Sequence, residues 1–246
     1  MSGPVAVVTG ASSGIGKAAA IRLARDFPAV ALAARGADAL QEVAHEVESN
    51  GAVPLPINLD LMAPGAAEKV VQRTLAEFGR IDALLNVAGA VPGIDLFEMS
   101  DEQWARRLTL HAWNALKASK GAVVLMAGNT AAVPTASMAA VGVINAGIVA
   151  LAKAFADRGL KDGVRVNSVS PGLVMTGRRL SMIQKWASTH RMSVDNAKEA
   201  LLKRADIGRY GEPEDIADLM AFLVSPAARW MTGTQLRIDG GEIRSI

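Results

Sequence analysis

The chain has no cysteine. That excludes disulfides, thiolate nucleophiles and cysteine-bound metal, and it fits a reducing cytoplasm, the compartment expected for it. Aromatic residues make up 4% of the 246 residues, and tyrosine occurs once, as Tyr210. Any chemistry that needs a phenol therefore has a single candidate. The three histidines, His45, His111 and His190, are dispersed and form no His-x-x-x-His pair, so no metal site is expected. Formal charge is +2. The densest basic pairs, Arg106–Arg107 and Arg178–Arg179, make no stripe of the kind that nucleic-acid binding needs. "MSGPVAVVTG" has no basic region followed by an apolar run, so no signal peptide is expected. No apolar run reaches membrane-spanning length free of charge or turn residues, so a membrane partner is not expected either.

Hydrophobic residues are plentiful, 50% of the chain, enough for one well-buried α/β unit. Short apolar runs alternate with amphipathic helical patterns. Val5–Thr9, Val30–Ala34, Val53–Ile57, Ala83–Val87, Ala122–Ala127, Val164–Ser170 and Thr234–Ile238 read as strands. Helices are expected over about 15–26, after Val30–Ala34 to about 49, over 65–78 and in "GEPEDIADLMAFLVS", where Pro213 suits a first turn. In "SMAAVGVINAGIVALAKAF" the apolar Val141, Ile144, Ile148, Leu151 and Phe155 recur at helical spacing. This alternation predicts a parallel sheet with helices on both faces. An amphipathic, Met-containing insertion over 173–207 reads as a substrate lid or a packing appendage.

Three glycines, Gly10, Gly14 and Gly16, sit between a strand and a helix in "VAVVTGASSGIGKAAA". A tight turn, close backbone approach to a pyrophosphate and close helix–strand packing each need one of them, and the helix N-terminus then faces the phosphates. The spacing T-G-x-x-x-G-x-G resembles the short-chain dehydrogenase/reductase (SDR) family, and the resemblance runs over nearly the whole chain. It implies a single doubly wound Rossmann domain over 1–246, with a mostly parallel seven-stranded sheet. It also implies a nucleotide site made of Gly10, Ser12, Ser13, Gly14, Ile15 and Gly16; Asp60 and Leu61 at the adenine; Asn86, Ala88 and Gly89 from "NVAG"; and Asn145. Pro171, Gly172, Val174 and Thr176 would lie beside the nicotinamide. At the end of the second strand, where an NAD enzyme places a carboxylate, the chain reads Ala34–Arg35. A guanidinium there accommodates a 2′-phosphate, so NADP(H) is expected rather than NAD.

The same resemblance puts the family's catalytic serine at Gly128, its tyrosine at Val141 and its lysine at Asn145. Tyr210 has Glu214 four residues on, so Tyr-x-x-x-Lys occurs nowhere in the chain. Roughly ten residues fewer than the family helix lie between Trp104 and Ala105, which would turn the two halves by roughly 80°; aligned without the gap, His111 takes the place of the family's asparagine. Asn129 and Thr130 could polarise a carbonyl. Three functions follow: an NAD(P)(H)-dependent carbonyl reductase or alcohol dehydrogenase with an altered proton donor, a non-catalytic dinucleotide-binding protein or partner subunit, or a non-redox lyase or dehydratase. The substrate is a small molecule that the sequence does not name. Gly142, Ala146, Gly147 and Ala150 give the Met138–Asp157 helix a second, small face, and by resemblance that helix builds a homodimer or homotetramer.

Overall fold

The computed structural model describes residues 3–88 and 104–244, the side chains of 104–107 excepted. Its centre is one parallel seven-stranded sheet: β1 (Val5–Thr9), β2 (Ala29–Ala34), β3 (Val53–Asn58), β4 (Ala83–Asn86), β5 (Ala122–Met126), β6 (Arg165–Pro171) and β7 (Gln235–Ile238). The strand order is β3-β2-β1-β4-β5-β6-β7. Every residue of β1, β2 and β4 is buried, as a sheet covered on both faces requires. The order reverses between β1 and β4, and in sheets of this kind ligands bind at such a reversal, in the crevice at the strands' C-terminal ends.

One face carries α1 (Gly14–Leu23), α2 (Ala37–Ser49) and α8 (Pro213–Val224); the other carries α3 (Ala66–Phe78), α4 (Trp104–Ser119) and α5 (Ala139–Asp162). Ala18, Ala19 and Ala20 let α1 lie close to the sheet and to α8. The insertion folds into α6 (Gly177–Thr189) and α7 (Val194–Ala205), which close over a small core of Ile183, Ala187, Ala197 and Tyr210.

The helix expected from the spacing of Val141, Ile144, Ile148, Leu151 and Phe155 is present; Phe155 is buried, the other four are half-buried, and Ile148 and Leu151 pack against the core beside the buried Ala140, Gly142, Asn145, Ala152, Ala156 and Gly159. Two expectations about this helix need correction, the first being its small face. Close approach selects small residues here; a Cβ on Gly159 would lie 2.0 Å from the Val164 carbonyl oxygen. Gly142 accordingly packs against Pro134 and does not join the outward small face, whereas Ala146, Gly147 and Ala150 are exposed. Second, the segment Ala136–Asp162, with a mean hydropathy of 1.8 in its most apolar window, is long and apolar enough to cross a membrane by length and composition, contrary to the reading of its charges. In the structure one face of α5 packs on β5 and β6.

α4 begins at Trp104, so the chain that leads into the Trp104–Ala105 junction lies outside the described residues. Within α4, Leu108, Thr109, Ala112, Trp113 and Leu116 form a single buried stripe and His111 faces solvent. Trp113 stacks on Phe155 at 5.5 Å between ring centroids. The end of α4 is tied to the end of α5 through Asp162, which accepts from Lys117 Nζ at 2.7 Å and from Trp113 Nε1 at 2.7 Å. The Lys117 and Trp113 hydrogen bonds, in that order, hold the Asp162 carboxyl down to about 2 from the usual 3.8. A carboxyl depressed on folding contributes stability above the unfolded value that is lost as the pH falls through the folded one. Asp162→Asn is therefore expected to lower the melting temperature at pH 7, and the gap to the natural chain is expected to close between about pH 4 and pH 2. Melting curves across that range check it; a gap that stays constant would contradict it.

Candidate cofactor and active site

The turn from β1 into α1 is shaped by its glycines. Gly10 and Gly14 have φ of 67° and 53°, the left-handed region that side chains disfavour. Gly16 is fixed by space: a Cβ there would lie 2.1 Å from the Gly10 carbonyl oxygen. Ser13 occupies the N-cap of α1 with its hydroxyl unused in capping, and the first turn holds no acidic residue. Backbone donors at this helix end thus face the crevice with no carboxylate competing for them, which suits an anion. Ser12 and Ile15 are half-buried in the same turn.

Thr9 joins this turn to β4: its Oγ1 accepts from the Val87 and Ala88 amides, both at 3.1 Å. Asn86 is buried, donates Nδ2 to Thr109 Oγ1 at 3.1 Å, and has no partner for Oδ1 among the described residues. Gly89 lies outside the described residues. On the β2 side Arg35 is exposed just past the strand, its carbonyl oxygen accepting from Asn58 Nδ2 at 2.8 Å. Asp60 is exposed and accepts from the Met62 amide, while Leu61 packs into the core.

On the other side of the crevice, β6 ends at Pro171 and the Gly172 amide donates to the Ile238 carbonyl at 3.1 Å. Val174 is buried and bridges to Gly211. Thr176 caps α6, its Oγ1 accepting from the Arg179 amide at 3.2 Å. Its Cγ2 would stand 3.3 Å from a Cβ on Gly14, so the start of α6 and the glycine turn lie against each other.

Beyond β5, Asn145 comes from the buried face of α5 and donates Nδ2 to Thr130 Oγ1 at 2.7 Å. Its amide lies over Gly128, where a Cβ would be 2.9 Å from Nδ2. A serine at 128 and this asparagine cannot both stay in place. Val141 is one turn back on α5 and half-buried. The lone tyrosine is committed elsewhere: Tyr210 is buried, its hydroxyl donates to the Lys198 carbonyl at 3.0 Å, and burial, partly offset by Arg179 and Lys198, pushes its pKa up.

The motifs did not point to three residues that gather here. Asp239 and Glu242, from the segment after β7, both accept from Asn129 Nδ2, at 3.1 and 3.0 Å. Glu242 Oε2 lies 2.6 Å from where a Cβ on Gly172 would be, so glycine at 172 makes room for the carboxylate. Arg179 lies where Glu242 opposes its charge, and burial lowers its pKa before that attraction raises it.

The glycine turn, the reversed strand order and the parallel sheet define a fold, and similarity to known proteins gives the lineage. A family model described as Enoyl-(Acyl carrier protein) reductase matches residues 10–242. The chain belongs to the short-chain dehydrogenase/reductase family. This SDR chain is 32% identical over 252 residues to a meso-2,3-butanediol dehydrogenase of Serratia marcescens, covering 98% of the chain and 95% of that protein. It is 27% identical over 248 residues to a 3-oxoacyl-(acyl-carrier-protein) reductase of Staphylococcus epidermidis, covering 96% and 97%. Among solved structures, L-sorbose reductase of Gluconobacter frateurii, complexed with NADPH and L-sorbose, superposes with a TM-score of 0.92 at 29% identity, covering 100% of this SDR chain and 98% of that one.

Proposed function

We propose that the chain is an NADP(H)-dependent oxidoreductase that interconverts a carbonyl and an alcohol without the family's phenol–ammonium couple. The observation that carries this reading is the glycine turn, whose fit to a pyrophosphate rests on two left-handed glycines, a third with no room for a Cβ, and an acid-free helix start. Gly10, Ser12, Ser13, Gly14, Ile15 and Gly16 hold the phosphates, and Thr176 closes on them from the lid. Asp60 and Leu61 border the adenine. Arg35, exposed at the end of β2, takes the 2′-phosphate that distinguishes NADP from NAD. Asn86 and Ala88 shape the wall at β4, and Pro171, Gly172 and Val174 the wall at β6.

The nicotinamide, when bound, supplies or accepts a hydride. At the places of the family's catalytic residues no acid stands: Gly128 and Val141 bring no ionisable group, and Asn145 has no proton to release at neutral pH. Because Asn145 already donates to Thr130 Oγ1, the Thr130 hydroxyl hydrogen is free to turn toward a substrate oxygen, and water carries the proton. Orientation of cofactor and substrate supplies most of the acceleration that remains. Family membership and the named reductases and dehydrogenases support redox chemistry over a lyase.

We also propose a homo-oligomer built on the outer face of α5, where Val143 and Leu160 are 54% and 70% exposed beside Ala146, Gly147 and Ala150. Small residues there allow a second copy's helix to approach closely.

The reading is tested with 4-deuterated NADPH and a library of carbonyl metabolites. Deuterium in a product alcohol is the expected result. Saturable cofactor binding with no label transferred to any carbonyl would leave a nucleotide-binding protein and remove the enzyme.

A further inference from the structure

We infer that Glu242 is the group that exchanges the substrate's proton, in place of the acid that Gly128, Val141 and Asn145 do not supply. The inference rests on the proposed redox reaction and deepens it: water carries the proton there, and Glu242 is where that water delivers it. In alcohol oxidation the carbinol C–H bond breaks, and its electron pair leaves with the hydrogen as hydride, accepted by the nicotinamide. The O–H bond breaks, the C=O bond forms, and the released proton passes through water to a Glu242 oxygen. In carbonyl reduction the same carboxyl returns it.

Ligands of a sheet with this strand order bind at the strands' C-terminal ends, where β5 and β6 run side by side with Met126 opposite Val169. Gly128 and Asn129 follow β5, and Gly172 follows β6. Glu242 reaches both: its Oε2 accepts from Asn129 Nδ2 at 3.0 Å and lies 2.6 Å from where a Cβ on Gly172 would be. The carboxylate is thus seated between the two strand ends, beside the short turn Asn129–Ala131 that also carries the Thr130 hydroxyl. The two oxygens of Glu242 differ. Oε2 is anchored, whereas Oε1 has no partner among the described residues and is not shut off from solvent. Its neighbour Asp239 has no such freedom: Oδ1 accepts from the Gly241 amide at 3.0 Å, and Oδ2 from the Ile243 amide and Asn129, both at 3.1 Å. A proton delivered by water needs an open lone pair, and of the two carboxylates Glu242 offers it. The anchoring is kept at a cost in stability. Asn129 Nδ2 serves both carboxylates, and Asn129 Oδ1 is left buried with no partner among the described residues. An orphaned acceptor of this kind is destabilising and calls for a reason, and fixing one carboxylate at the place of proton exchange is such a reason.

The test uses the alcohol that the label-transfer experiment yields, oxidised with NADP⁺ by the intact chain in a single turnover. Glu242→Gln keeps an acceptor for Asn129 and removes the group that takes a proton. It is expected to slow the hydride step about 10²–10⁴-fold, with KM and the Kd for NADP⁺ within about threefold of the natural chain. Glu242→Ala is expected to lose as much and to recover at least about tenfold when sodium formate, a carboxylate small enough for the vacated space, is added; formate does not speed the natural chain. Circular dichroism and titration with NADP⁺ show that each variant is folded and loaded. A Gln variant as fast as the natural chain, a loss that falls on KM or NADP⁺ binding instead of the hydride step, or an Ala variant that formate does not rescue would overturn the inference while the redox reading stands. No label transferred by the natural chain to any carbonyl would remove the redox reading and the inference together.

Discussion

With Val141→Tyr and Asn145→Lys in one chain, turnover of a carbonyl substrate is expected to rise about 10²–10⁴-fold, the usual worth of one well-placed acid. The two positions are four residues apart on α5, so a phenol and an ammonium would stand one above the other on adjacent turns. Asn145 is 8% exposed on the buried face, so a lysine there is held near the phenol instead of swinging into solvent. Each substitution alone is expected to do little. A tyrosine without a neighbouring cation keeps a pKa of about 10, and a lysine without the phenol leaves no acid at the substrate oxygen. Serine at 128 does not belong in the first variant, because its Cβ would start 2.9 Å from the Asn145 amide nitrogen and the outcome would depend on what 145 had become. The check is kcat and KM for the natural chain, both single variants and the pair, on any carbonyl that accepts label. A pair no faster than the singles would mean that the substrate oxygen is not presented to α5.

Gly16→Ala is expected to destabilise the fold by about 3 kcal/mol and to weaken NADPH binding by more than a hundredfold. The added methyl carbon would sit 2.1 Å from the Gly10 carbonyl oxygen, which is backbone and has no rotamer to escape through. Either α1 moves off β1, opening the layer that Ala18, Ala19 and Ala20 pack, or the turn deforms and its amides lose their aim. Chemical denaturation gives the first number and titration the second. Unchanged stability and affinity would show that the turn tolerates a side chain and is not a fitted cradle. Gly51→Ala, beside a turn where a Cβ would meet nothing within 4 Å, separates loss of a special site from loss of glycine in general, although its φ of 91° carries its own strain.

These effects differ in how far ahead they could be read. The glycine turn was plain from the residues because its logic is local: a strand, a turn that needs left-handed residues, and a helix follow one another without a gap. The seven strands were equally plain as buried apolar runs, each within a residue or two of its observed ends. The buried face of α5 was not. Hydrophobicity ranked Val141, Ile144 and Ile148 above Ala140, Gly142 and Asn145, yet contact with β6 and with the Asn129–Ala131 turn demands small residues, and the larger ones flank that contact. Least visible were the carboxylates at Asn129. Asp239 and Glu242 lie 110 and 113 residues from it along the chain, and no local pattern announces such a meeting. The insertion over 173–207 reads as a single amphipathic stretch, yet its small core is completed by Tyr210 from beyond that stretch. That explains why the lone tyrosine serves structure.

The most direct test of the account is titration of NADPH into the intact chain, followed by the fluorescence of the bound nicotinamide. The account predicts saturation at one equivalent per chain with a Kd below about 1 mM, and a markedly weaker signal when Arg35 is changed to Glu. A flat titration at millimolar coenzyme, from a chain whose circular dichroism and melting curve show it folded, would contradict it.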